Sequence, residues 1–93
     1  MRVKEEKITC SNAVAVKAGV AQAARAGDAV LDLSAVKSLD SSAVAIVLAW
    51  IRILQQAGRQ PVLRGAPEKM MTLARLYGVR GLIEPFLDGK APA

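Results

Sequence analysis

The 93-residue sequence predicts a single α/β domain in which a mixed or mostly parallel sheet of three to four strands packs against three to four helices. Strand-like and helix-like segments alternate along the chain, and this order favours parallel strands joined by crossover helices. The length suits one small domain, and neither an internal repeat nor a linker divides it. The apolar fraction of 53% is enough for a core, built from aliphatic side chains because aromatics make up only 3%.

The first third of the chain predicts a strand, a helix and a second strand. Residues 3–9 form the weakest of these, because their apolar residues are sparse. Residues 13–26, AVAVKAGVAQAARA, predict an Ala-rich helix, with Asn12 positioned to accept hydrogen bonds from its first-turn amides. Gly27 is positioned to end that helix. Residues 28–33, DAVLDL, are short, apolar and partly β-branched, so they predict a buried strand.

The central helix is the most apolar element. Residues 34–39 predict a loop, after which Asp40 can cap a helix over residues 41–56. One apolar stripe at helical spacing consists of Val44, Val47, Leu48, Ile51 and Leu54. A second stripe, on another side, consists of Ile46, Trp50 and Ile53. A domain of this size has limited area to cover both stripes, so Trp50 is either a core residue or part of an interface.

The last third of the chain predicts a strand followed by helical segments. Residues 60–64 form the strand, and Pro67 suits the first position of the next helix because it lacks an amide hydrogen. That helix runs to about residue 77, where Gly78 ends it. Residues 81–87 predict a last short helical turn, and residues 88–93 are expected to form a disordered tail.

The charge distribution argues against nucleic acid as a partner. The net charge is +5, but the thirteen Lys and Arg residues are scattered, and Phe, Tyr and Trp occur once each. No platform for stacked bases is expected, and a soluble surface or an acidic protein partner accounts better for the charge. Cys10 is the single cysteine, no signal peptide is apparent, and the longest apolar run has nine residues, so a cytoplasmic protein is expected.

Residues that carry catalysis are scarce. The chain has no histidine, one cysteine, no phosphate-binding loop and no dinucleotide-binding glycine motif. Asp32 and Asp40 form the carboxylate pair with the best claim to acid–base chemistry. However, Asp32 lies in a predicted strand and Asp40 is explained as a helix cap. The sequence therefore predicts a protein that is not an enzyme and that binds neither a metal nor another cofactor.

The triplet Asp40, Ser41 and Ser42 has a structural and a functional interpretation. As a cap, Asp40 accepts the backbone N–H of Ser42 or Ala43, and its charge suits the positive end of the helix. Ser41 is a poor nucleophile, because no nearby residue can act as its base. A phosphate on Ser41 would add about −1.5 to −2 charges, which the helix end tolerates but an apposed partner surface does not. Ser41 is therefore the candidate regulatory residue, and all three residues are candidates for partner binding.

The third helix contributes the other candidate partner-binding residues. Met70, Leu73 and Tyr77 follow i, i+3, i+7 spacing and are candidates for its core-facing stripe. Three other residues then point elsewhere, namely Met71, Arg75 and Leu76. Tyr77 combines an apolar ring with a polar hydroxyl, which is favoured at binding surfaces. Met71, Arg75 and Tyr77 are therefore predicted to contact a partner.

Residues 30–50, VLDLSAVKSLDSSAVAIVLAW, resemble the core signature of the STAS domain, found in sulfate transporters and anti-sigma factor antagonists. In that family, a strand ending in D-L-S leads through a loop to D-S-[ST]-G at the start of a helix. The similarity continues through QQAGRQPVLRGAPEKMMTLARLYGV and covers about residues 13–87. Within the family, TLARLYG at residues 72–78 most resembles the small STAS subunit of the Mla-type phospholipid ABC transporter.

The resemblance implies a non-enzymatic subunit that binds the cytoplasmic ATPase of such a transporter and supports its assembly and activity. The contact surface would comprise the Ser41 end of the second helix and the third helix, including Tyr77. The membrane would be reached only through the transporter. The same family implies an alternative, an anti-sigma factor antagonist that its partner kinase phosphorylates on Ser41.

Two departures from the family pattern lead to further expectations. Ala43 stands where the family has Gly, and its methyl group is expected to leave less room for a kinase at Ser41. The N-terminus is short, so the sheet is expected either to lack the first family strand or to have an edge that a second copy covers in a homodimer.

Overall fold

The computed structural model describes residues 1–88 and confirms the α/β class. The strands are β1 (Lys7–Ile8), β2 (Val30–Asp32), β3 (Ser38–Leu39) and β4 (Val62–Arg64). The helices are α1 (Ala13–Arg25), α2 (Ser41–Gln56), α3 (Glu68–Leu76) and α4 (Arg80–Ile83), and a 3₁₀ turn follows at Glu84–Phe86. The three long helices begin and end within one residue of the predicted positions.

The strand pairs among residues 1–88 are all parallel. β1 pairs with β3, and β2 pairs with β4 with Leu31 opposite Leu63. Single bridges add Arg2 beside Asp32 and Leu87 beside Leu63. The described part of the chain therefore contains two short parallel ladders, and the crossover helices between their strands build most of the core.

The prediction of a loop over residues 34–39 is wrong for the last two residues. Ser38 and Leu39 form β3 and lie opposite Lys7 and Ile8 of β1. Two residues are too few to show a strand pattern in the sequence. The strand is defined by its pairing partner, which lies about thirty residues earlier in the chain.

The strand predicted over residues 3–9 is not continuous, and its two ends pair with different strands. Only Lys7–Ile8 forms β1, whereas the N–H of Val3 donates to the carbonyl of Asp32 at 3.0 Å. The N–H of Asp32 in turn donates to the carbonyl of Met1 at 2.8 Å. The short N-terminal segment therefore lies alongside β2 and satisfies main-chain groups there.

Helix α2 lies at the centre of the core and packs against α1, α3 and α4. Its buried residues include members of both predicted stripes: Ala43, Val44, Ile46, Val47, Trp50, Ile51 and Leu54. Trp50 is only 2% exposed, so its interpretation as an interface residue is wrong. The reason is that α1, α3 and α4 all pack on α2 and cover apolar area that a sequence pattern cannot assign to a neighbour.

Helix α3 buries a narrower stripe than the one predicted. Met70 and Ala74 are fully buried, and Leu73 is half-buried. Tyr77 is 60% exposed, so of its two interpretations, core residue or surface residue, the first is wrong. Ala74, four residues after Met70, occupies the next core position, and the helix ends before Tyr77.

The described chain ends against β4. The N–H of Asp88 donates to the carbonyl of Leu63 at 2.7 Å, and its carboxylate accepts from Nε of Arg64 at 2.8 Å. Asp88 is thus held by the sheet, although the disordered tail was predicted to begin there. The rest of that predicted tail, residues 89–93, lies outside the described residues.

Candidate functional site

Strand pairing places the loop after β1 beside the start of α2. Because β1 and β3 are parallel, the two strands end on the same side of the sheet, with Ile8 opposite Leu39. The N–H of Asp40 donates to the carbonyl of Ile8 at 3.0 Å. Residues 9–12 and the first turn of α2 therefore form one continuous surface.

Asn12 shapes this loop differently from the prediction. Its side chain makes no bond to the first-turn amides of α1. Instead, its Oδ1 accepts the N–H of Thr9 at 3.0 Å, and its Nδ2 donates to the carbonyl of Lys7 at 2.8 Å. The prediction of a side-chain cap is wrong, because the Asn12 amide closes the turn that precedes the helix.

Asp40 connects the two segments of this surface. Its Oδ1 accepts the N–H of Ser42 at 2.8 Å, and its Oδ2 accepts the N–H of Cys10 at 3.0 Å. The predicted cap is confirmed with Ser42 as the donor, whereas the N–H of Ala43 bonds to the Asp40 carbonyl at 3.1 Å. The hydroxyl and N–H of Ser42 lower the pKa of Asp40, with smaller contributions from Cys10 and Lys69. Asp40 is therefore an ionised acceptor at neutral pH.

Ser41 is the exposed residue at the start of α2. Among residues 1–88, its side chain makes no hydrogen bond. The carboxylate of Asp40 already accepts two amides, so it is not positioned as a base for Ser41. Lys69 of α3 contributes to the lowered pKa of Asp40, which places a cation near this end of α2. Ser41 is accessible for contact or modification but lacks the surroundings of a nucleophile.

The methyl group of Ala43 lies in the core. Ala43 is 1% exposed, whereas Ser41 faces solvent. The expectation that Ala43 leaves less room for a kinase at Ser41 stays a prediction, since the burial of Ala43 does not measure access to Ser41.

Asp32, the other carboxylate considered for acid–base chemistry, serves a separate loop. Its Oδ1 accepts the N–H of Ser34 at 2.8 Å, directly after β2. The hydroxyl and N–H of Ser34 lower its pKa, and the charges of Arg2 and Arg64 lower it further. Neither Asp32 nor Asp40 has the raised pKa that a general acid needs at neutral pH.

The candidate residues on α3 differ in exposure. Met71 is half-buried against the core, and Arg75 is exposed. Tyr77 is 60% exposed, and its neighbour Leu76 is 75% exposed. With a rise of about 1.5 Å per residue, Tyr77 lies roughly 12 Å along α3 from Lys69. We call the whole area the α2–α3 surface; its residues are Asp40, Ser41, Ser42, Lys69, Met71, Arg75, Leu76 and Tyr77.

The predicted site residues thus lie on α2 and α3, two helices that pack against each other. Ser41 is in the first turn of α2, and Tyr77 follows the last turn of α3.

Three residues of or near this surface were not predicted, namely Cys10, Lys69 and Leu82. Cys10 and Lys69 approach Asp40 only through tertiary packing, so no local pattern indicates them. Leu82 is 59% exposed because α4 has only four residues and buries Ile83 instead. The sequence signal for the exposure of Leu82 was the short length of this segment, since one helical turn cannot bury every apolar side chain.

A family model described as "Mlab, STAS domain" matches residues 5–84 of the chain. The chain belongs to the STAS domain family. A comparison with curated proteins gives no significant match. STAS domains are generally non-catalytic interaction modules, and the exposed Ser41, Leu76 and Tyr77 of this STAS domain suit that role.

Two further findings concern residues 1–88 of the STAS domain. They contain no cluster of three or more His, Cys, Asp or Glu side chains. Their helices include none that is both long and apolar enough to cross a bilayer. Their exposed side chains include the apolar Leu76 and Tyr77 and the cationic Lys69 and Arg75.

Proposed function

We propose that this STAS domain is a non-enzymatic subunit that binds the cytoplasmic ATPase of a Mla-type phospholipid ABC transporter and supports its activity. The observation that carries the proposal is the exposed pair Leu76 and Tyr77 at the end of α3, in a domain that the Mlab family model matches. Burying apolar area of this kind contributes about 25 cal/mol per Å². The domain works in the cytoplasm in this proposal and reaches the membrane only through the transporter.

The Ser41 end supplies the polar part of the contact. The Ser41 hydroxyl is free to donate or accept, Lys69 acts on the neighbouring Asp40, and Lys69 and Arg75 are both exposed on α3. Basic side chains around an apolar centre favour an acidic partner face, which speeds association and sets the orientation. An acidic rim around an apolar patch is therefore expected on the ATPase.

The proposal can be tested by calorimetry with the ABC transporter ATPase whose gene lies nearest to the gene for this domain. Tyr77→Glu should weaken binding at least tenfold, because it places a charge in the apolar part of the contact. Ser41→Asp should also weaken it, because a carboxylate there faces the acidic rim. Ala18→Glu is the matched control, since Ala18 is an exposed residue on α1. Full binding by both site variants would show that the surface is wrong, and no binding by the unaltered domain would refute the function.

The second candidate function is an anti-sigma factor antagonist controlled by phosphorylation of Ser41. The observation that favours it is the exposure of Ser41 at the positive end of α2, where the charge of Lys69 helps to lower the pKa of the preceding Asp40. A phosphate there would be stabilised by the helix end and by the lysine charge. It would also add negative charge to a surface that otherwise suits an acidic partner.

Mass spectrometry after incubation with ATP and a candidate anti-sigma kinase distinguishes the two functions. The antagonist function requires one added phosphate that maps to Ser41 and disappears in Ser41→Ala. Ser11→Ala is the control, because Ser11 is an exposed hydroxyl on the neighbouring loop. An unchanged mass with every kinase of the host would argue for the transporter subunit.

A further inference from the structure

A cleft of ≈ 670 Å³ separates the outer face of α2 from the C-terminal helical segment. Its lining is mainly apolar and includes Ala45, Leu48 and Ala49 from α2, and Leu82, Pro85 and Phe86 from the other side. Leu82 is 59% exposed at this cleft. The cleft is not indicated by any sequence pattern, and its lining includes none of the contact residues proposed above.

The charge of the cleft is defined by one residue. Arg52 is the single charged side chain in the lining, and it is exposed. Within residues 1–88, Arg52 makes no ion pair and no side-chain hydrogen bond. An occupant that buries the apolar lining therefore gains further if it brings a carboxylate to Arg52, because an ion pair next to buried apolar area is less screened by water.

The cleft is continuous with the Ser41 end of the α2–α3 surface. Ser41, Ala45, Leu48 and Arg52 follow i, i+4, i+7, i+11 spacing, so they lie along one face of α2. From Ser41 to Arg52 this face is about 16 Å long at 1.5 Å per residue. A partner helix of about three turns has the same length, and helices commonly bind in such grooves through a stripe of apolar residues.

We propose that the cleft binds an amphipathic helix of the ATPase partner, with apolar residues against Leu48, Leu82 and Phe86 and a carboxylate paired with Arg52. This inference rests on the proposed function and extends it, since it names the form and charge of the partner segment. The helix runs along α2 from the Ser41 end, so one partner element contacts both regions.

Fluorescence anisotropy with overlapping 15-residue peptides that span the ATPase tests the inference. One peptide with an acidic residue beside an apolar helical stripe should bind. Leu82→Asp and Arg52→Glu should each weaken that binding at least tenfold. Lys17→Glu, a charge reversal at an exposed α1 position, should leave it unchanged. Changing the acidic residue of the peptide to Lys should restore binding to Arg52→Glu.

The remaining outcomes overturn the inference in distinguishable ways. If Tyr77→Glu weakens binding of the intact ATPase but Leu82→Asp and Arg52→Glu do not, the proposed function stands and the cleft has another role. If sedimentation shows a dimer that Leu82→Asp dissociates, the occupant is a second copy. If removing residues 89–93 is required for any peptide to bind, the occupant is the chain's own C-terminal segment. Failure of the intact ATPase to bind the unaltered domain refutes the function and the inference together.

Discussion

The backbone N–H of Cys10 donates to Oδ2 of Asp40 at 3.0 Å, across 30 residues of sequence. Through its other oxygen, Asp40 also holds the N–H of Ser42. One carboxylate therefore fixes the loop after β1 to the first turn of α2. Ser41 lies between Asp40 and Ser42 in sequence and makes no side-chain hydrogen bond of its own within residues 1–88.

The first prediction concerns this link. Asp40→Ala should lower the melting temperature more than Asp40→Asn does, because Asn retains an acceptor for one amide and is also a good N-cap. Differential scanning calorimetry measures both. Asp88→Ala is a comparison variant, since it removes an exposed carboxylate bonded to Arg64 and leaves α2 intact. Equal melting temperatures for Asp40→Ala and the unaltered domain would contradict the assigned role.

The second prediction concerns acid stability. The pKa values of Asp32 and Asp40 are lowered from an ordinary 3.8, chiefly by the hydroxyls and amides of Ser34 and Ser42. Groups with a lowered folded-state pKa contribute stability that is present above the ordinary value and is lost as the pH falls through the lowered one. Urea midpoints should therefore fall as the pH drops below about 4, and more steeply for the unaltered domain than for Asp40→Asn.

The third prediction concerns Trp50. Because it is 2% exposed in the core, Trp50→Ala should destabilise the fold by about 3–5 kcal/mol, a large share of the stability of a small domain. Leu82→Ala, at an exposed site, should change stability by no more than about 0.5 kcal/mol. Guanidinium unfolding followed by circular dichroism measures both, and a mild effect of Trp50→Ala would contradict its burial.

The fourth prediction concerns the turn after β4. Gly65 has a φ of +66°, and a Cβ there would lie 2.8 Å from Cβ of Ser34. Gly58 has a similar φ of +72° with no atom near the Cβ position. Gly65→Ala should therefore destabilise the fold clearly more than Gly58→Ala, whose cost of about 1–2 kcal/mol comes from the left-handed backbone alone. Chemical unfolding of the two variants measures the difference in their stability. Equal losses of stability would exclude the close approach of residue 65 to Ser34.

Local signals in the sequence predicted the elements that contain enough residues to show a pattern. The apolar run after Asp40 predicted α2, and the carboxylate caps it as expected. β3 was missed because Ser38–Leu39 is a strand only through its pairing with β1. Asn12 was misassigned because its side chain has bonding partners in the preceding turn that compete with the helix amides.

Individual residues of the candidate surface could be predicted from the sequence, but their arrangement in space could not. Ser41 and Tyr77 could be selected from local chemistry, since one follows a cap and the other ends a helix. Trp50 could not be assigned to core or interface without knowing that α1, α3 and α4 pack on α2. The cleft beside Arg52 forms between segments about thirty residues apart in sequence, so no single helical pattern contains it.

Whether the STAS domain is a subunit that supports the ATPase can be measured from the ATP hydrolysis rate of that ATPase while the domain is titrated in. We expect the rate to rise and saturate with the unaltered domain, and we expect the domain alone to hydrolyse no ATP. Tyr77→Glu should shift the titration midpoint at least tenfold higher, whereas Ala18→Glu should not shift it. A rate that is unaffected by the unaltered domain would refute the proposed function, and a rate raised equally by Tyr77→Glu at equal concentrations would exclude Tyr77 from the contact.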